Sequence, residues 1–120
     1  MSRDYTKIKA WVLADELAVQ VYGVTHGFPG REVFGLIAQL RRAASSVPAN
    51  IAEGSNRASK KEYLQFLSVA SGSTAEVKYF LHLSKRLGYL TEIQYAAIGK
   101  LAEETSKTLA GLISSIRQEV

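Results

Sequence analysis

Apolar residues recur along most of the chain at alternating spacings of three and four, the period of a helix packed on one side. The clearest run is Ile37, Leu40, Ala44, Val47 and Ile51, with Gln39, Arg42, Ser46, Asn50 and Glu53 on the roughly opposite face. Pro48 interrupts this run chemically, because it lacks an N–H and crowds the carbonyl four residues back. The seam still keeps its phase from Val47 to Ile51. The pattern therefore predicts one helix over about Glu32 to Glu53, kinked at Pro48, with Gly54 as its permissive C-terminal residue.

The same period predicts three more helices. Tyr63, Leu67, Ala70, Thr74, Val77, Leu81 and Ser84 form a seam that starts at a Ser59–Glu62 capping box and runs to Leu87, with Gly88 as the stop. At 1.5 Å per residue this is a rod of ~43 Å. Its run of six small residues, Ala70-Ser71-Gly72-Ser73-Thr74-Ala75, is a poor choice for helix propensity alone and suits a place where other backbones come close. Thr91 and Gln94 repeat the capping logic ahead of a helix over Glu92 to Gln118, striped by Ile98, Leu101, Ala102, Thr105, Leu109, Leu112 and Ile116. The first helix, about Thr6 to Val24, carries a broad stripe of Leu13, Leu17, Val21 and Val24, with Trp11 and Tyr22 as core or seam residues. Residues 25 to 31 read as a turn that folds Phe28 back onto the core. Short connections and no competing strand signal point to an all-α fold, an antiparallel up-down-up-down four-helix bundle spanning 1–120 as a single domain.

Two helices have a second face without charge. On helix one it is Ile8, Val12 and Val19; on helix three it is Leu64, Ser68, Ser71, Ala75, Tyr79 and His82, with no charge until Arg86. A surface shared between subunits explains such faces, and a neutral solvent face is the alternative.

Composition narrows the function classes. The chain is 47% hydrophobic and 22% charged, ordinary for a soluble globular domain, and it has no cysteine for a disulfide or thiolate, which fits a reducing cytoplasm. The start, MSRDYTKIKAW, does not read as a signal peptide. The most apolar window, Ala10 to Val24, is broken by Asp15, Glu16 and Gln20, so no membrane segment is expected. The net charge of +4 is unevenly placed: six basic residues face two acidic ones between His26 and Lys61, and nine face nine elsewhere. Arg41, Arg42, Arg57, Lys60 and Lys61 are the candidate phosphate contacts in that segment, against a plain reading as solvated helix ends. Arg42, Asn50 and Glu53 share a face with Arg57, and Glu53 and Arg57 are four apart. That face reads either as a network aiming Arg57 at a phosphate or as a structural tie to a neighbouring helix or subunit.

No catalytic or metal chemistry emerges. A di-iron bundle needs Glu-x-x-His, and the residues three before His26 and His82 are Gly23 and Tyr79. Two histidines without cysteine offer no zinc spacing, and no Gly-rich phosphate loop is present. The chain reads as a non-enzyme without cofactor.

Several motifs occur in order along the chain: Trp11; Phe28-Pro29 with Glu32; Leu40-Arg41-Arg42-Ala43-Ala44 with Ser46 and Pro48; Asn50-Ile51-Ala52-Glu53-Gly54 and Arg57; Phe66-Leu67, Ala70, Gly72-Ser73 and Glu76; and Leu87-Gly88-Tyr89-Leu90. In these the chain resembles the bacterial four-helix-bundle proteins called 23S rRNA intervening-sequence proteins, departing mildly in having Tyr5 where phenylalanine is usual. The resemblance implies a bundle that assembles into a ring of five. Some relatives are encoded inside insertions in large-subunit ribosomal RNA genes. Related bundles are accessory subunits of diversity-generating reverse transcriptases, associated with nucleic acid through basic surfaces. Two expectations follow: a homo-oligomeric accessory protein binding RNA or DNA backbone, or an adaptor ring presenting a surface to a protein partner.

Overall fold

The computed structural model describes residues 3–119. Four α-helices, α1 (Lys9–Thr25), α2 (Leu36–Ser55), α3 (Lys60–Arg86) and α4 (Glu92–Gln118), are joined by short connections, with single 3-10 turns at Tyr5–Lys7 and Gly30–Glu32; no strand occurs among the described residues. α1 packs on α2, α2 on α3, α3 on α4, and α4 closes against α1, while the diagonal pairs stay apart. This is the up-down-up-down bundle that the short connections require, with backbone extents of 48 × 24 × 19 Å.

The expected seams of α2 and α3 are buried at every position, from Ile37 to Ile51 and from Tyr63 to Ser84. α2 continues without interruption through the buried Pro48, so the stretch is one helix. Buried hydroxyls find their own acceptors: Thr25 donates to Val21 O, Thr74 to Ala70 O, Ser84 to Phe80 O and Thr105 to Leu101 O, each one turn back. The core has two lobes. One gathers Leu17, Leu36, Leu40, Leu81 and Ile98 near the α1–α2 connection, and the other gathers Val47, Ile51, Tyr63, Leu67 and Leu109 toward the α2–α3 link.

The helix starts differ from expectation where side chains from outside the helix take over capping. α1 begins at Lys9, not Thr6, because Asp4 caps a separate 3-10 turn by accepting the Thr6 N–H at 3.1 Å and Ile8 is extended. α2 begins at Leu36, not Glu32. The Glu32 side chain instead reaches forward to accept the Leu36 N–H at 3.1 Å, replacing a conventional N-cap. α1 also buries a different stripe from the expected one: Ala10, Ala14, Leu17, Val21 and Thr25. Its alanines let neighbouring helices close in, which leaves Leu13, Trp11 and Val24 at the flanks and Tyr22 exposed.

Gly54 corrects another expectation. It lies inside α2 with an ordinary helical backbone, and its role is steric: a Cβ there would sit 2.7 Å from Phe66 Cβ and 3.0 Å from Tyr63 Cδ1. Gly88, at φ 79°, is the glycine that ends a helix. Tyr89 N–H donates to Ser84 O at 2.9 Å and Gly88 N–H to Lys85 O at 3.0 Å, the paired bonds of a Schellman stop.

Candidate nucleic-acid interface

The five basic candidates occupy two regions and have unequal freedom. Arg41 and Arg42 lie in the first half of α2, and Arg57, Lys60 and Lys61 lie at the α2–α3 link, ~24 Å further along the bundle at 1.5 Å per residue. Arg41, one of the candidate phosphate contacts, is half-buried and committed to structure. Its Nε donates to Thr25 Oγ1 at 2.9 Å and its guanidinium lies 4.7 Å from the Tyr22 ring centre, closing the C-terminus of α1. Arg42 bridges α2 to α3 through Glu76 at 3.1 Å and also reaches Gln39.

The face shared by Arg42, Asn50, Glu53 and Arg57 is therefore not one network. Asn50 donates to Ser46 O and Oγ, Ser46 in turn accepts from Ser73 on α3 at 2.9 Å, and Arg57 pairs with Glu53 at 2.5 Å. The Arg42–Glu76 and Ser46–Ser73 contacts are ties between α2 and α3. Arg57 lies 4.8 Å from the Phe66 ring centre, and its buried Nε has no hydrogen-bond partner among the described residues.

Lys60 is also partly engaged, since its Nζ donates to the Arg117 carbonyl at 3.0 Å and to the Glu119 carbonyl. That contact neutralises the carbonyl end of α4. Lys61 is exposed and makes no ion pair among the described residues. The bundle brings further cations to the same end that the sequence left scattered: Arg3, Lys7 and Lys9 precede or open α1, and Arg117 closes α4. Arg3 is tied down, its N–H donating to Ser55 O at 3.1 Å and its guanidinium 4.4 Å from the Tyr63 ring centre. Tyr63 is fully buried; burial pushes its phenol up, Arg3 opposes and Glu119 adds to the shift. Only topology joins these residues, so no local signal marked them.

The uncharged faces are outward. Val12, Val19, Ser68, Ser71, Ala75, Tyr79 and His82 are exposed, while Ile8 and Leu64 are half buried against the core. Because α1 and α3 are diagonal, the two faces look to opposite sides of the bundle. The α3 face leads without a break into Lys61 at one end and Arg86 at the other, and Asp15 and Glu16 adjoin Val12 and Val19 on α1. A shallow groove of about 290 Å³ between α3 and α4 is lined by Leu64, Ser68, Ser71, Ala110, Ile113 and Arg117.

Two motifs turn out to serve each other. Glu32 accepts from Leu36 N–H and from Tyr89 Oη at 2.9 Å, both of which hold its carboxyl below the usual range, and the Phe28 ring packs against Tyr89 at 5.3 Å, tilted by 49°. Phe-Pro-x-x-Glu and Leu-Gly-Tyr-Leu thus clasp the two connections at one end of the bundle. No group of three or more His, Asp or Glu placed to hold a metal occurs among the described residues, and no helix among them is long and apolar enough to cross a membrane.

The family model for the 23S rRNA-intervening sequence protein matches residues 6–111. A crystal structure of a protein of unknown function from the S23 ribosomal protein family of Bacteroides thetaiotaomicron is similar, with 27% identity and a TM-score of 0.78 over 87% of this chain and 97% of that one. No curated protein matches the chain.

Proposed function

The chain belongs to the 23S rRNA-intervening sequence protein family, and from that premise we propose that it is a non-enzymatic subunit of a homo-oligomeric ring, a pentamer, that binds the backbone of RNA or DNA through its basic end. The observation that carries the reading is the collection of Arg57, Lys60, Lys61 and Arg117 where the α2–α3 link meets the C-terminus of α4. Phosphate contacts need cations free to move onto the ligand. Lys61 meets that need outright, and Arg57 contributes only the part of its guanidinium that the pair with Glu53 leaves in solvent.

Assembly is supported by the placement of the uncharged faces. A contact between the α1 face of one copy and the α3 face of the next joins two different surfaces, the head-to-tail kind that forms a ring when its rotation closes. A net +4 per chain is modest, and five copies carry about +20 around one axis. Weak phosphate sites repeated on one rim then add through effective concentration. The aromatic rings beside the basic link are occupied, Tyr63 being buried under Arg3 and Phe66 lying against Arg57, which supports recognition of backbone over bases.

The test is binding of a structured RNA at ~50 mM salt, where counterion release favours association. Changing Arg57, Lys60 and Lys61 together to alanine is expected to weaken binding roughly tenfold or more, with the oligomer and the circular dichroism intact. Lys61→Ala alone, which breaks no internal contact, is expected to account for a measurable part of that loss. Absence of wild-type binding, or equal binding by the triple variant, overturns the nucleic-acid reading in favour of an adaptor ring.

A further inference from the structure

The end of the bundle opposite the basic link has a different chemistry. There the two connections, α1–α2 and α3–α4, lie side by side, clasped by the Glu32–Tyr89 hydrogen bond. Of the large apolar side chains that the bundle leaves exposed, five belong to this end: Tyr22, Val33, Phe34, Leu87 and Ile93. Phe34 is 94% exposed and Ile93 83%, which is extreme for side chains of this size. They share an end face whose backbone cross-section is only 24 × 19 Å.

Phe34 is held outward by a fixed turn. The backbone from Pro29 to Gly35 is hydrogen-bonded on both sides of Phe34, with Glu32 N–H donating to Pro29 O at 2.9 Å, Val33 N–H to Gly30 O at 3.1 Å and Gly35 N–H to Glu32 O at 3.0 Å. The Glu32 carboxylate then folds over Gly35 to cap α2, and a Cβ at Gly35 would sit 2.7 Å from its Oε1. This interlock leaves Phe34 no inward position. A ring fixed in solvent loses little conformational freedom when a partner covers it, which is the condition for an anchoring residue.

The charge at this end indicates what covers it. Glu32 is saturated by Leu36 N–H and Tyr89, and Glu92 pairs with Lys85 at 3.4 Å. On the two connections, the exposed charges without an ion pair among the described residues are Arg31 and Arg86. A second copy brings the same two cations, while its Glu32 and Glu92 are already engaged by the Leu36 N–H, Tyr89 and Lys85. Aliphatic Val33, Leu87 and Ile93 predominate over aromatic side chains, which suits protein better than bases. We propose that this end is a docking surface for a protein partner, which seats an apolar segment flanked by acidic side chains on Phe34 and Ile93 between Arg31 and Arg86. The ring thus has two working ends, basic for nucleic acid and apolar for protein. The proposal does not depend on the nucleic-acid reading.

Two fluorescein-labelled synthetic helical peptides test it, identical in their leucine and phenylalanine face and carrying either glutamate or lysine elsewhere. Fluorescence anisotropy is expected to show binding of the glutamate peptide, with the lysine peptide at least about tenfold weaker, as expected for two paired charges lost and repulsion gained. The double variant Phe34→Ala, Ile93→Ala, whose side chains support no core contact, should lose binding about tenfold or more while thermal melting and oligomer mass stay unchanged. Arg31→Ala with Arg86→Ala should narrow the difference between the two peptides. Equal affinity for both peptides, or undiminished binding by the Phe34/Ile93 variant, overturns the proposal. So does a fall in oligomer mass in that variant, which assigns the surface to a second copy, or displacement of bound peptide by a single-stranded oligothymidine, which assigns it to nucleic acid.

Discussion

Gly54 and Gly111 both sit inside helices, yet only one of them needs to be glycine. A Cβ at Gly54 meets Phe66 and Tyr63 where α2 and α3 cross closely, whereas nothing lies within 4 Å of a Cβ at Gly111. Gly54→Ala should therefore lower stability by about 1–3 kcal/mol through overpacking. Gly111→Ala should raise it by about 0.5–1 kcal/mol through reduced backbone entropy in the unfolded chain. Chemical denaturation of the two variants beside wild type checks the opposite signs. Glu32 makes a different residue-scale prediction. Its carboxyl is held below its ordinary value of 4.5 by the Leu36 N–H and the Tyr89 hydroxyl, so the ionised form is favoured by folding. That contribution is present above the ordinary value and is lost as pH falls through the lowered one. Thermal melting between about pH 6 and pH 3 should show wild type losing stability, with a shallower acid slope in Glu32→Gln. Identical slopes would remove the clasp from the account.

At the scale of the helix, periodicity carried most of the information and its failures have local causes. The seams of α2, α3 and α4 were legible because each buries a single stripe against large partners, and Thr91 with Gln94 marked the start of α4 through a complete capping box. Ser59 accepts the Glu62 N–H at 3.1 Å, so it too fixed a helix start from local chemistry. The start of α2 was not legible, because its cap is a carboxylate four residues upstream. The phase of α1 was misjudged because leucine and tryptophan outweigh alanine in any hydrophobic pattern, although Ala10 and Ala14 are the residues that let the helices approach. The basic candidates show the same limit. Sequence marks charge, and only the fold shows that Thr25 occupies Arg41, Glu76 occupies Arg42 and the end of α4 occupies Lys60. The uncharged face of α3 leads to an element-scale prediction. Ala75 is exposed in the bundle, so Ala75→Glu should leave helicity nearly unchanged while dissociating the assembly, since an unpaired charge in an interface costs several kcal/mol. Size-exclusion chromatography with circular dichroism reads both effects, and an unaltered elution volume would take α3 out of the contact.

As a whole molecule, the bundle is polarised along its length. One end gathers cations from the α2–α3 link and the two chain ends, the other holds apolar side chains on two clasped connections, and uncharged faces occupy opposite sides between them. Such an arrangement suits a subunit of a ring, with the faces turned to neighbours and the two ends to two rims. Repetition is central to the proposed function, because a single chain offers a phosphate little beyond the exposed Lys61. The salt dependence of RNA binding should be correspondingly steep, beyond what the cations of one bundle supply. Sedimentation equilibrium of the wild-type protein at micromolar concentration tests repetition most directly. A ring of five should sediment as a species of about 65 kDa, five times the 13.1 kDa chain; a monomer at 13.1 kDa would exclude the ring.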